Sequence, residues 1–104
     1  MMLLEDVSMT RDDIITFLTH HKSEIEQRYG VTKIGLAGSY ARDEATLESD
    51  IDIIVEIKSP NKFRSFFYLL YFLQDALGKQ IDLVTESSLK PLVKKTILKD
   101  IVYI

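Results

Sequence analysis

Apolar positions recur with two different periods along this chain of 104 residues. Near the start, Ile14, Leu18, His21 and Ile25 follow one another at helical spacing. Thr10 and Asp13 form a capping-box-like start, with Asp in place of the usual Glu. Gly30 supplies a stop, so the pattern predicts one helix from about Arg11 to Tyr29. The first eight residues read as a loose leader. Val31 to Ala37 reads as a short strand that runs into Gly38-Ser39, with a short helix beginning near Tyr40. From Asp50 to Ile57 the period changes to two: Ile51, Ile53, Val55 and Ile57 alternate with Asp50, Asp52, Ile54 and Glu56. Ser59-Pro60-Asn61 breaks that strand. Lys62 to Leu77 reads as a long apolar helix closed by Gly78, and Gln80 to Val84 as a third strand. Pro91 suits the first turn of a basic helix running to Lys99. Ile101 to Ile104 fits a strand or a tail equally well.

The order α, β, short α, β, α, β, α predicts an α/β domain with a small mixed sheet flanked by helices. The whole chain, 1–104, reads as one domain, because its length leaves no room for a second core. Strand directions do not follow from the pattern.

Composition narrows the chemistry. No cysteine is present, which removes disulfides, thiolate metal sites and cysteine nucleophiles. Thirteen basic residues against 16 acidic ones give a net charge of -3, so direct DNA binding is not expected. The apolar run from Phe66 to Leu73 is far short of the roughly 20 residues that a membrane span needs. The N-terminus lacks the basic start and long apolar stretch of a signal peptide. The expected setting is cytoplasmic, with no membrane association.

The stretch that carries chemistry runs GSYARDEATLESDID, from Gly38 to Asp52. Successive strand side chains point to opposite faces, so Asp50 and Asp52 share one face while Ile51 and Ile53 take the other. With the isoleucines in the core, two carboxylates project together and repel unless a cation lies between them. Such a pair suits magnesium, a hard ion that prefers oxygen ligands. The third strand repeats the parity: Ile81 and Leu83 face the core, and Asp82 points the way Asp50 and Asp52 do. If the strands are neighbours, Asp82 completes a three-carboxylate cluster. Gly38 lets the backbone approach a ligand closely, and Ser39 adds a hydroxyl at a strand-to-helix junction suited to phosphate.

Each of these features has a plainer reading. Asp-x-Asp on a strand can be a solvated polar face, and Ser39 can be a helix cap. Their conjunction favours the site. Competing motifs are absent: there is no G-x-x-x-x-G-K-[ST] phosphate loop. Asp50 does not open a calcium loop either, because Val55 and Asn61 stand at its sixth and twelfth positions. His20 and His21 lie inside the predicted first helix, where they read as surface or packing residues and not as partners of Ser39.

At Gly38-Ser39, Asp50-x-Asp52 and Asp82 the chain resembles the DNA polymerase beta-like nucleotidyltransferases. Within that superfamily, GSYARDEATLESDIDIIVE resembles the minimal nucleotidyltransferases, antitoxins encoded beside HEPN proteins. The resemblance implies their fold, and AMP transfer from ATP to a hydroxyl, most simply a tyrosine, of a HEPN-type ribonuclease toxin, with release of pyrophosphate. It implies that Asp50 and Asp52 hold two Mg2+ ions, that Asp82 completes the metal site, and that Gly38, Ser39 and Arg42 bind the nucleotide. Asp43 stands where many relatives have Gly; Arg42 beside it offsets the added negative charge. Two other readings compete: a non-catalytic antitoxin that masks the toxin sterically, and a small-molecule nucleotidyltransferase completed by a partner subunit.

Only 22 residues follow Asp82, so the acceptor is expected to bring its own docking surface. Helix 62–77 supports that expectation. Phe63, Phe66, Phe67, Leu70, Leu73 and Leu77 form one predicted face, and Tyr68, Leu69, Tyr71, Phe72 and Ala76 stay apolar outside it. A helix apolar nearly all round is buried or at an interface, and in so small a domain an interface, homo- or hetero-oligomeric, is favoured. Lys90, Lys94, Lys95 and Lys99 make the last helix basic, which reads as a solvated face or as a contact for an acidic partner or phosphates.

Overall fold

The computed structural model of the chain describes residues 9–104, and the expected leader lies outside them. Thr10 opens helix α1 (Arg11–His20) with a complete capping box: its hydroxyl accepts from the Asp13 amide while the Asp13 carboxylate accepts from the Thr10 amide. The single helix expected over 11–29 is two. His21 leaves helical geometry at φ -100°, ψ 8°, and α2 follows as Lys22–Tyr29. The His21 ring packs on Phe17 and Phe72, and its Nδ1 lies 3.1 Å from Glu24. Gly30 ends α2 in the left-handed conformation, as expected.

Strand β1 (Val31–Ala37) leads into the short helix α3 (Gly38–Ala41), followed by β2 (Ile51–Ile57), α4 (Lys62–Leu77) and β3 (Ile81–Thr85). A 3-10 turn (Glu86–Ser88), α5 (Pro91–Ile97) and β4 (Val102–Tyr103) complete the chain. The ambiguous last residues therefore do contain a strand. The sheet order is β3-β2-β1-β4. β1 runs antiparallel to β2 and to β4, and β2 runs parallel to β3. This is the small mixed sheet that the pattern predicts.

One face of the sheet makes the core. Ile51, Ile53 and Val55 of β2 are fully buried, and Leu36, Ile81 and Leu83 flank them from the neighbouring strands. Ile14 and Leu18 of α1, Ile25 and Tyr29 of α2, and Leu69, Leu73 and Leu77 of α4 cover them. The buried stripe of α4 differs from the expected one. Leu69 is fully buried and Phe72 packs against the core beside Phe17, His21 and Tyr29, whereas Phe63 turns outward with 76% of its surface exposed. Leucines fill the sheet-facing layer, Phe66 and Phe72 pack at its margin, and Phe63, Tyr68 and Tyr71 face outward.

The opposite face carries α5 and the polar chain of the site. Glu86 anchors this layer: its carboxylate accepts from Tyr103 at 3.0 Å and pairs with Lys33 at 3.5 Å and Lys94 at 3.7 Å. These cations and the Tyr103 hydroxyl hold its pKa below the usual carboxylate value against the opposing effect of burial. Lys94 thus serves partly as a strut, while Lys90, Lys95 and Lys99 remain exposed.

Candidate active site

The site forms where β1, β2 and β3 present their polar side. In the parallel β2–β3 pair Asp52 lies directly opposite Asp82, and in the antiparallel β1–β2 pair it lies opposite Ala37. Register alone therefore brings two carboxylates and the Gly38-Ser39 turn together. Gly38 adopts φ +68°, and a Cβ built on it would collide with the Asp52 carboxylate. Glycine is required there twice over, by conformation and by space.

Asp52 is half-buried and Asp82 is exposed. Burial raises the pKa of Asp52 most, the negative charge of Asp82 adds to it, and Asp50 contributes less; Arg42 pulls weakly the other way. The result is a carboxyl group pushed up to about 6. Asp50, one residue ahead of β2, is exposed and acts on Asp52 through its charge. The three acids occupy one face, as parity requires, but they do not converge equally. Asp52 and Asp82 are the close pair, Asp50 flanks them, and no group of three acidic or histidine side chains among the described residues is tight enough to form a closed metal cage. An open pair with room for water and phosphate ligands is the arrangement magnesium favours. The all-oxygen donor set and the repulsion stored at Asp52, whose carboxylate fits against the backbone only because residue 38 is glycine, fit a divalent cation.

Ser39 is half-buried, and its hydroxyl makes no hydrogen bond among the described residues, so it is not acting as a helix cap. Arg42 follows α3 and is held by Glu44 at 3.0 Å and Asp100 at 3.8 Å. Those two carboxylates already draw its charge, so Arg42 is tied less closely to the site than Gly38 and Ser39. Asp43 has φ 61°, the left-handed conformation that a glycine adopts at lower cost. The histidines stand apart from the acids: His20 is exposed and His21 packs among aromatic rings.

The pattern did not single out the apolar lining. A cleft of about 120 Å³ is bounded by Gly38, Asp52 and Asp82 together with Ile54, Leu89 and Ile97. Ile54 is only 3% exposed although it shares the face of Asp52. An isoleucine on the polar side of an alternating strand was the available signal that something covers that side.

The comparisons with known proteins agree with this geometry. The family described as nucleotidyltransferase domain matches residues 18–104. The chain belongs to that family. A protein named protein adenylyltransferase MntA, from Thermococcus cleftensis, is 42% identical over 96 residues, covering 92% of this chain and 97% of that protein. A solved structure of a minimal nucleotidyltransferase superposes with a TM-score of 0.79 at 25% identity, covering 92% of this chain and 97% of that one. A tri-AMPylated HEPN toxin in complex with MNT antitoxin, from Shewanella oneidensis, shares the fold, with a TM-score of 0.60 at 20% identity over 85% of this chain and 69% of that one. The chain is therefore an enzyme of the nucleotidyltransferase class with the minimal nucleotidyltransferase fold, as its sequence resemblance implies.

Proposed function

We propose that this protein is an antitoxin that transfers AMP from ATP to a hydroxyl, a tyrosine in the simplest case, of a HEPN-type ribonuclease toxin. The observation that carries the reading is near-full-length similarity to a protein adenylyltransferase together with the Asp52–Asp82 pair standing in register beside Gly38. The neighbouring folds include a toxin–antitoxin complex with AMP-PNP, TM-score 0.64 at 23% identity, which supports an adenine nucleotide and a protein partner. ATP supply suits a cytoplasmic setting; among the described residues no helix is long and apolar enough to cross a membrane.

In this reading Asp50, Asp52 and Asp82 hold two magnesium ions, which when bound neutralise phosphate charge and acidify the acceptor hydroxyl. Asp52 would contribute most to holding them, because burial and the charges of Asp82 and Asp50 all disfavour its ionised form without a cation. Gly38 lets the Asp52 carboxylate lie against the backbone at the start of α3, and the free Ser39 hydroxyl donates to a phosphate oxygen. Arg42 places positive charge at the same end. Asp82, more exposed than Asp52, is positioned to take the proton of the incoming hydroxyl. The acceptor oxygen bonds to the α-phosphorus, the bond to the β-phosphate oxygen breaks, and pyrophosphate leaves. An adenylyl group on tyrosine adds bulk and negative charge, which opposes RNA binding by like-charge repulsion.

Turnover separates this reading from steric masking. With ATP and magnesium, a small amount of this protein is expected to modify an excess of toxin, seen as whole adenylyl increments in intact mass, and the toxin stays inactive after separation. Protection that needs equimolar protein and leaves the toxin mass unchanged would give the function to masking.

A further inference from the structure

The outward face of α4 carries a feature that the transfer reaction does not use. Arg64, Tyr68, Tyr71 and Asp75 are all exposed, and at 3.6 residues per turn they fall on one narrow stripe. Tyr68 and Tyr71 each expose 58% of their surface. Phe67 borders the stripe and stacks near Tyr71, with ring centroids 6.4 Å apart. Neither Arg64 nor Asp75 makes an ion pair or a side-chain hydrogen bond among the described residues. The stripe is positive at its start, aromatic in the middle and negative at its end. Its spacing of four, three and four residues reads the same in both directions.

We infer that this stripe is a self-complementary docking surface for a second copy of this chain. When two α4 helices pack antiparallel about a two-fold axis, such a spacing superposes on its own reverse. Arg64 of each copy then meets Asp75 of the other at both ends, and Tyr68 meets Tyr71 at the centre, with Phe67 closing one side. Both charges find opposite partners, and the tyrosines bury their rings while keeping their hydroxyls at the rim. A shallow groove of about 500 Å³ beside Arg64, Phe67, Tyr68 and Tyr71 gives the second copy's tyrosines space to enter. A strongly acidic or basic partner would satisfy one end of the stripe and oppose the other, so charge complementarity selects a second copy. α4 covers the face of the sheet opposite Asp52 and Asp82, so the pairing leaves two sites facing outward. This inference does not depend on the substrate of the site.

Sedimentation velocity of the isolated full chain tests it, with folding of each variant checked by circular dichroism. The wild type is expected to reach a dimer between about 1 and 200 μM, the range of a modest interface. Arg64→Asp and Asp75→Arg each set like charges across the interface and are expected to weaken it at least about tenfold. The combined Arg64→Asp/Asp75→Arg variant restores opposite charges and should recover most of the loss. Tyr71→Asp should leave a folded monomer. A wild type that stays monomeric throughout, a dimer indifferent to Tyr71→Asp, or a double variant weaker than both singles would each overturn the inference. A monomeric chain whose Tyr71→Asp variant loses a co-expressed toxin would likewise overturn it, giving the face to a different protein.

Discussion

Strand β2 serves two purposes with alternate residues. Ile51, Ile53 and Val55 are fully buried beneath the helical layer, while Asp52, two positions from Ile54 on the other face, meets Asp82 and the Gly38 turn. The apolar face gains by removing surface from water. The acidic face gives up stability, because Asp52 is held in partial burial next to like charge, and its pKa of about 6 records that cost. One residue of register separates the two, so the packing that fixes the isoleucines also aims the carboxylates. A site built in this way needs few dedicated supports, which suits a chain this short.

Substitutions on the two faces are expected to separate stability from chemistry. Gly38→Ala combines an unfavourable left-handed backbone with a Cβ that displaces the Asp52 carboxylate. Transfer activity should fall by roughly 100-fold, the scale of an ångström-size misplacement of a reacting group, while the melting temperature drops only modestly. Ile53→Ala strikes the other face and should cost about 2–5 kcal/mol of stability through cavity formation. The fraction that stays folded should retain its specific activity, as titrated chemical denaturation and transfer assays would show.

Asp52→Asn sharpens the contrast in the metal-free protein. Because the folded-state pKa of Asp52 lies above its unfolded value of about 3.8, the folded chain holds this proton more tightly. The group therefore disfavours folding increasingly as pH rises from about 4 to about 6, with its full cost present above that. Asn removes the cost. The variant should melt several degrees higher than the wild type at pH 7.5, a gain limited by solvent screening of a partly exposed carboxylate, and equally at pH 3.5. Magnesium should raise the melting temperature of the wild type and not of the variant. The smallest effect is expected at Asp43. Asp43→Gly relieves a left-handed non-glycine residue against the greater unfolded-state freedom of glycine, and should add at most about 1 kcal/mol, with transfer activity retained.

Much of the fold is legible in the sequence, for identifiable reasons. α4 begins and ends where Asn61 and Gly78 place it, because both caps are chemical signals within the sequence. The face shared by Asp52 and Asp82 follows from parity alone. That they stand directly opposite one another depends on a parallel β2–β3 pair, which no local pattern specifies. The break at His21 is not legible in the spacing because Ile14, Leu18 and Ile25 keep helical periodicity across it; it coincides with a tertiary contact to Phe72, far along the chain. Helical periodicity could not orient α4 when nearly every position was apolar, and Leu69 and Phe63 exchanged roles accordingly. The two-residue β4 is too short for any period to register, and only pairing with Gly35 and Leu36 defines it. Leu89 and Ile97 reach the cleft through the fold of the last helix over the sheet, a relation absent from the spacing around Asp82.

Whether the acidic face carries out nucleotidyl transfer to a protein is tested most directly by the position of a label in ATP. Wild-type protein incubated with the proposed HEPN toxin and magnesium should transfer label from the α-phosphate of ATP and none from the γ-phosphate. Asp50→Asn/Asp52→Asn protein with an unchanged circular dichroism spectrum should transfer neither. Label arriving from the γ-phosphate, or α-label transferred by that variant at the wild-type rate, would contradict the account.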